Sequence, residues 1–413
     1  MLDIKLIRSN PEMIRALVAK RGAKADVDAI LAADAEVRSL TQQVETLRAE
    51  RKQLSGKDVR DQAIALREKI QDMEKALDEV TRTRDEALTW LPNLLADDTP
   101  DGDDDKGNVE IARWGTIPEF DFEPKTHEVL GNRLGILDSE RGAKVAGAGF
   151  SYWVGDGARL AQGLFALALD ILNKHGFTQM FTPIVARERT LFGTGYLPFF
   201  GDQIYRLEGE DLALIGTSEQ TLVAYHADEI LPAERLPLRY CAFSPCFRTE
   251  AGAAGRETRG AFRQHQFHKV EQIVLCRPED SDAWLEKCRA FEEEIMHRLE
   301  LPYRVVRVCL GDMGAPGYKK YDIEAWFAGY KGWRETHSNT NILDYQTRRL
   351  NIRAKDAAKD GAGTFIPHVI SATMITDRAL LAVLENNQAA DGSIRIPEAL
   401  RSAIGGRDRL VPG

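Results

Sequence analysis

Apolar residues near the N-terminus recur with the beat of a helix pair. Ile30, Ala33, Val37, Leu40, Val44, Leu47, Arg51 and Leu54 alternate spacings of three and four, a heptad seam with one charged interruption. Leu66, Ile70, Met73, Leu77 and Val80 form a second seam, and Gly56 in the intervening LSGKDV supplies a turn. Two such helices predict an antiparallel coiled-coil hairpin over residues 28–88. Its first arm would rise about 37 Å at about 1.5 Å per residue.

Further along, the stretch TWLPNLLADDTPDGDDDKG, with Pro92, Pro100, Gly102 and clustered aspartates, breaks both helix and strand periods. It predicts a boundary between a helical arm, residues 1–100, and a body, residues 101–413. In the body, LAQGLFALALDILNKHG reads as a helix closed by Gly176, and PYRVVRVCLGDM as a strand. PLRYCAFSPCFR and QHQFHKVEQIVLCR read as neighbouring antiparallel strands. The body is thus α+β, and it carries no GxGxxG or GxxxxGK[ST] phosphate loop. A nucleotide would need another device.

The chain has 413 residues, enough for two to three domains and a large core. Its 55 Lys+Arg against 64 Asp+Glu leave a net charge of −9, which argues against coating nucleic acid through bulk positive charge but permits a local contact. Residues 38–87 carry 11 basic and 11 acidic side chains, the solvated pattern of exposed coiled-coil faces. At the tip Arg48, Arg51, Lys52, Lys57 and Arg60 outnumber Glu50 and Asp58. That patch reads either as a solvated face or as a polyanion contact. Cys241, Cys246, Cys276, Cys288 and Cys309 form no CxxC pair and read as reduced, buried thiols of a cytosolic protein. MLDIKLIRSN has no secretion pattern, and no run of 18 apolar residues predicts a membrane span.

The chemistry concentrates in FRTEAGAAGRETRGAFRQHQFHKVE, residues 247–271. Phe247, Arg248 and Glu250 precede a loop with Gly252, Gly255 and Gly260, and Phe262 to Glu271 reads as a return strand. An arginine fork can hold phosphate and carboxylate oxygens while small loop residues leave room for a substrate. His226, His265, His268 and His368 show no metal-ligand spacing.

These residues, with three further matches, resemble a class II aminoacyl-tRNA synthetase of the bacterial seryl type over essentially the whole chain. The resemblance implies an antiparallel catalytic sheet flanked by helices, preceded by a helical arm that grips the long variable arm of a serine tRNA. HGFTQMFTPIVARE is similar to the family's first motif, with Pro183 at a homodimer interface. Thr217, Ser218 and Glu219 match its TxE motif on the amino-acid side. By the same resemblance Arg248 binds the α-phosphate and the substrate carboxylate, Glu250 contacts adenine or the amino-acid end, and Phe262 stacks on adenine. Glu271 faces the amino acid, Glu335 holds ATP and Mg²⁺, and Ser338 lines the nucleotide site. ITDRALLAVLENNQ resembles the third motif, where Arg378 reaches the γ-phosphate. Arg48, Arg51, Lys52, Lys57 and Arg60 then become candidate tRNA contacts. The implied activity is ATP-dependent formation of seryl-adenylate and transfer to tRNA, in the cytoplasm.

Four positions depart from the family pattern. Eight and six residues before Arg378, where an Asn and a Ser or Thr are usual, stand Ile370 and Ala372; both are expected in the amino-acid pocket. His337 replaces a Ser, either as a pocket donor or in packing, and Asp377 replaces a Gly or Thr. A pocket so altered points to a specialised relative that activates another small amino acid or serves a carrier. A non-catalytic RNA-binding homologue is the other alternative.

Overall fold

In the computed structural model, residues 1–54, 60–251, 261–356 and 363–413 are described. They divide into two compact units, Met1–Leu94 and Leu95–Gly413. The anticipated turn at Gly56, the patch residue Lys57, and Gly252, Gly255 and Gly260 lie outside the described residues.

The first unit is all helix: α1 Ile4–Ser9, α2 Pro11–Lys20, α3 Val27–Gln53 and α4 Arg60–Thr89. Helix α3 starts where the Asp26 carboxylate accepts the Ala29 N–H at 2.9 Å, satisfying one of the free amides of a helix start. Its seam packs Val27, Ile30, Val37, Val44 and Leu47 against α4, which returns Ile70 and Leu88. Arg51 is exposed, so the apolar stripe stops one turn short of the predicted end. A small core of Leu2, Ile7, Ile14 and Val18 closes the base. There Asp34, only 2% exposed, sits within the seam and collects Arg8 Nε at 3.2 Å, Arg38 Nε at 3.2 Å and Arg84 Nη1 at 3.7 Å.

The second unit is built on an eight-stranded sheet of β1 Val109–Trp114, β2 Thr178–Gln179, β3 Leu238–Phe247, β4 Gln266–Cys276, β5 Tyr303–Arg307, β6 Lys319–Phe327, β7 Gly332–Leu343 and β8 His368–Thr376. In space the order is β1-β5-β6-β7-β8-β4-β3-β2, antiparallel throughout except for the β2/β3 pair. Helices α5 Asp156–Lys174, α6 Ser281–Arg298 and α7 Asp377–Asn386 cover one face. Alternation in β4 sends Val270 and Val274 into that helix-covered core, and Lys269 and Glu271 to the opposite face. No helix among the described residues is long and apolar enough to cross a membrane.

Two sequence readings need correction. The return strand begins at Gln266, four residues later than Phe262. Its upstream backbone groups are spent off the ladder: the Phe262 carbonyl accepts from Arg378 Nε at 3.3 Å, and His265 N–H donates to the Gly149 carbonyl at 2.9 Å. The second correction concerns the pocket placement of Ile370 and Ala372, which lie on β8. Ser371, Ala372 and Thr373 face Ile273, Gln272 and Glu271, but Ile375 faces Val270, so Met374 is an extra residue in a β-bulge. A one-residue slip exchanges the faces of a strand. Ile370 and Ala372, the positions expected in the pocket from their distance to Arg378, are instead fully buried in the helix-covered core, and Ser371 and Thr373 take the other face.

Candidate active site

The sheet face opposite the long helices forms the floor of a cavity of about 320 Å³. Arg248, Glu250 and Phe262 border it from the end of β3 and the turn before β4; Glu335 and Ser338 come from β7, and Arg378 from the head of α7. Glu219 and Glu271 also line it, and Thr217 stands behind, donating from Oγ1 to Glu271 Oε2 at 3.0 Å. The fold thus assembles most of the anticipated residues around one space. Ile370 and Ala372 are turned away from it, Ser218 is fully buried outside its lining, and Pro183 is exposed between Phe181 and Ile184.

One group of side chains is cationic and aromatic. The Arg378 guanidinium lies 4.4 Å from the centre of the Phe262 ring and donates to the Glu335 carbonyl at 3.0 Å and to its Oε2 at 3.3 Å. Phe262 is braced edge-on by Phe327, with ring centres 5.5 Å apart. Burial raises the Glu335 carboxyl, but Arg378, Lys320 and Arg248 outweigh it and hold it below the usual carboxylate range. Burial likewise opposes the charge on Arg248, and Tyr196, Cys246, Glu250 and Glu335 override it. Glu250 adopts φ +52°, an uncommon left-handed conformation, and its carboxylate pairs with Arg263.

The second group is smaller and more polar. Glu271 is 2% exposed and pairs with Lys269, while its Oε1 accepts from the Ser371 hydroxyl at 3.4 Å. Burial keeps its carboxyl above the usual value despite Lys269. Thr373 stands opposite Glu271 across the β8/β4 ladder, on the same face. Glu219 accepts from Gln346 Nε2 at 2.6 Å and from the Tyr196 hydroxyl at 3.4 Å, which fixes its place at the rim. A carboxylate pair beside hydroxyls suits a small amino acid carrying an ammonium and a hydroxyl group, and the arginines suit phosphate and carboxylate.

Sequence reasoning missed Lys269, Lys320, Tyr196, Ser371 and Thr373. For Lys269 a signal existed: two residues before Glu271 on a strand, it shares that residue's face. The histidines settle into local partnerships. His226 bonds Glu229 at 2.8 Å and Tyr240 at 2.9 Å, His368 bonds the Ser281 hydroxyl at 3.0 Å, and His265 bonds the Tyr205 hydroxyl at 2.9 Å and the Arg248 carbonyl at 3.0 Å. His337 is 1% exposed with Nδ1 2.8 Å from the Thr336 hydroxyl, and burial drives its pKa down to about 3. In the hairpin, Arg48 crosses to Glu74 at 2.7 Å, whereas Arg51, Lys52 and Arg60 are exposed.

Residues 204–387 match the model of the tRNA synthetase class II core domain (G, H, P, S and T), and residues 1–95 that of the seryl-tRNA synthetase N-terminal domain. The chain is 44% identical over 414 residues to a serine–tRNA ligase of Treponema denticola, spanning 97% of this chain and 98% of that protein. Among solved structures, the seryl-tRNA synthetase of Pyrococcus horikoshii complexed with ATP superposes with a TM-score of 0.92 at 39% identity, covering all of both chains. The cytoplasmic serine–tRNA ligase of Naegleria fowleri in complex with AMP gives 0.88 at 30% identity, covering 100% of this chain and 99% of that one.

Proposed function

The chain belongs to the seryl-tRNA synthetase family of class II synthetases, and on that premise we propose how its cavity activates serine with ATP and charges a serine tRNA. The observation that carries the reading is the meeting, in one cavity, of an arginine-rich aromatic group with a buried carboxylate–hydroxyl group.

Serine's ammonium would sit against Glu271 and Glu219, and its hydroxyl against Thr373, with Ser371 and Thr217 holding Glu271 in place. Its carboxylate would lie beside Arg248, which also takes the α-phosphate of ATP. In-line attack by a carboxylate oxygen on the α-phosphorus forms seryl-adenylate, and the bond to the leaving pyrophosphate breaks. Arg378 and Lys320 stabilise the charge that builds on the departing group. The adenine would enter between Phe262 and Arg378, widening the present 4.4 Å separation to about 7 Å, two van der Waals contacts of about 3.5 Å each. The terminal ribose hydroxyl of tRNA then attacks the adenylate carbonyl and releases AMP. No protein nucleophile is required.

Mg²⁺ fits this setting because Glu335, half exposed to the cavity, offers a hard carboxylate oxygen alongside the substrate's phosphates. When bound, it would neutralise phosphate charge. The apolar Phe181 and Ile184 flanking Pro183 support a homodimer contact, and the exposed Arg51, Lys52 and Arg60 support a backbone contact to tRNA; from the family we infer that this tRNA carries a long variable arm and that the protein works in the cytoplasm. The inward Ser371 and Thr373, on the face opposite to Ile370 and Ala372, support serine over a different small amino acid.

Pyrophosphate exchange with each amino acid in turn, followed by charging of total tRNA, tests the reading. Exchange with serine and esterification of serine tRNA support it; exchange with another amino acid only, or activation without charging, overturns it.

A further inference from the structure

Asp377 lies immediately before Arg378 at the first position of α7. Its carboxylate Oδ2 accepts the His268 backbone N–H at 2.5 Å and stands 3.3 Å from His268 Nδ1. The register of β8 against β4 ends at Thr376 opposite Lys269, so the next rung would pair residue 377 with His268. There the chain has turned into a helix, and the Asp377 side chain supplies the acceptor for that rung. Its other oxygen is buried without a hydrogen-bond partner among the described residues, leaving the bonds to His268 to satisfy the carboxylate. No capping side chain serves the helix start: Thr376 makes no side-chain capping bond, and the Asp377 carboxylate accepts from His268 on β4. A carboxylate in the first turn also suits the positive end of the helix dipole.

His268 is itself fixed. Its ring stacks on Phe243 with centres 5.7 Å apart and planes 6° from parallel, and Phe165 closes on it at 5.9 Å. Burial opposes its protonation, yet Asp377 lifts its pKa above the ordinary imidazole value. An ionic and hydrogen-bonded strap therefore ties the head of α7 to β4, one residue from the guanidinium that lies over Phe262.

We propose that Asp377 and His268 are positioning residues, which together hold the head of α7 so that Arg378 is aimed at the nucleotide. The proposal rests on the reading of Arg378 as the nucleotide-side arginine. Asp377 borders the cavity beside Arg378 with its carboxylate turned to His268, which stands outside the lining; both act through Arg378. The strap should therefore matter for ATP and little for serine.

The test is serine-dependent pyrophosphate exchange with the full-length protein, comparing Asp377→Gly, Asp377→Asn, His268→Gln and Arg378→Ala. Asp377→Gly should raise KM for ATP about tenfold, the scale of a lost charge-assisted hydrogen bond, while KM for serine moves less than twofold. Asp377→Asn keeps an oxygen acceptor for the His268 N–H and should recover at least half of that change on a logarithmic scale. His268→Gln keeps the backbone donor and should give an intermediate shift. An unchanged KM for ATP in Asp377→Gly, or equal rises in both KM values, overturns the proposal; should that variant not fold, the same split in His268→Gln decides. Arg378→Ala separates the two layers: if it leaves KM for ATP unchanged, the underlying reading of Arg378 fails as well.

Discussion

The two faces of β8 make opposite demands on two adjacent residues. Thr373→Val preserves β-branching and volume but removes a hydroxyl on the cavity face. If that hydroxyl bonds the serine side chain, its loss leaves a substrate O–H unpaired in a site where Thr373 is only 6% exposed. The cost is about 1–3 kcal/mol in the transition state, or roughly a fivefold to 150-fold fall in kcat/KM for serine. Alanine lacks the hydroxyl and should lose little, so the serine-to-alanine ratio should fall by a similar factor. Ala372→Ser is the counterpart. It places a hydroxyl on the helix-covered face at a position with no exposure, which costs about 1–3 kcal/mol of stability without a partner. Its kinetic constants for serine should stay within twofold. Pyrophosphate exchange with serine and alanine, alongside thermal melting of both variants, reads out the pair. A stable Ala372→Ser with altered serine discrimination, beside a kinetically silent Thr373→Val, would refute the face assignment.

Other outcomes follow from single contacts. Phe262→Ala should raise KM for ATP by roughly tenfold or more, the worth of about 1–3 kcal/mol of base stacking, with KM for serine unaffected in the exchange assay. Combined Arg51→Ala, Lys52→Ala and Arg60→Ala should lower kcat/KM for tRNA charging about tenfold and flatten its salt dependence, while exchange without tRNA stays unchanged. Asp34→Ala leaves three arginines facing one another at the hairpin base and should cost about 1–3 kcal/mol, less than a fully buried pair because Arg8 and Arg38 are partly exposed; an unchanged melting temperature would contradict this. His337, with a folded pKa of about 3, contributes stability above the unfolded value near 6.5 that is lost as pH falls. Between pH 7 and pH 5 the loss is about 2 kcal/mol, and His337→Asn should show a correspondingly weaker pH dependence in urea unfolding.

Long-period features were legible in the sequence because they repeat. The heptad spacing of Ile30, Val37 and Val44 needs no tertiary context, and the alternating strands β3 and β4 announce themselves over ten or more residues. Arg248, Phe262 and Arg378 were found as motif residues, each in a recognisable neighbourhood. The short helices α1 and α2 span too few turns for periodicity to speak; Asp3 and Pro11 at their starts were their main local signals. Lys320 was invisible for another reason: its role comes from β6 lying beside β7, a pairing set by the whole sheet. The pocket face of β8 was missed because Ile370 and Ala372 were placed by their distance from Arg378, and distance along the chain does not show which face a bulged strand presents; the bulge at Met374 is a tertiary event. Two consecutive core residues, Met374 and Ile375, reset the phase for everything upstream.

That irregular rung also bears on how the strand can change over evolutionary time. Residues on either side of Met374 already keep their faces without a regular step between them, with Thr373 opposite Glu271 and Ile375 opposite Val270. Loss of the intervening residue would straighten the ladder while leaving Ser371 and Thr373 toward the cavity and Ile370 and Ala372 toward the core. The strand can therefore lose that residue and still present the same hydroxyls, so a position on β8 is defined by the face it occupies and not by its distance from Arg378.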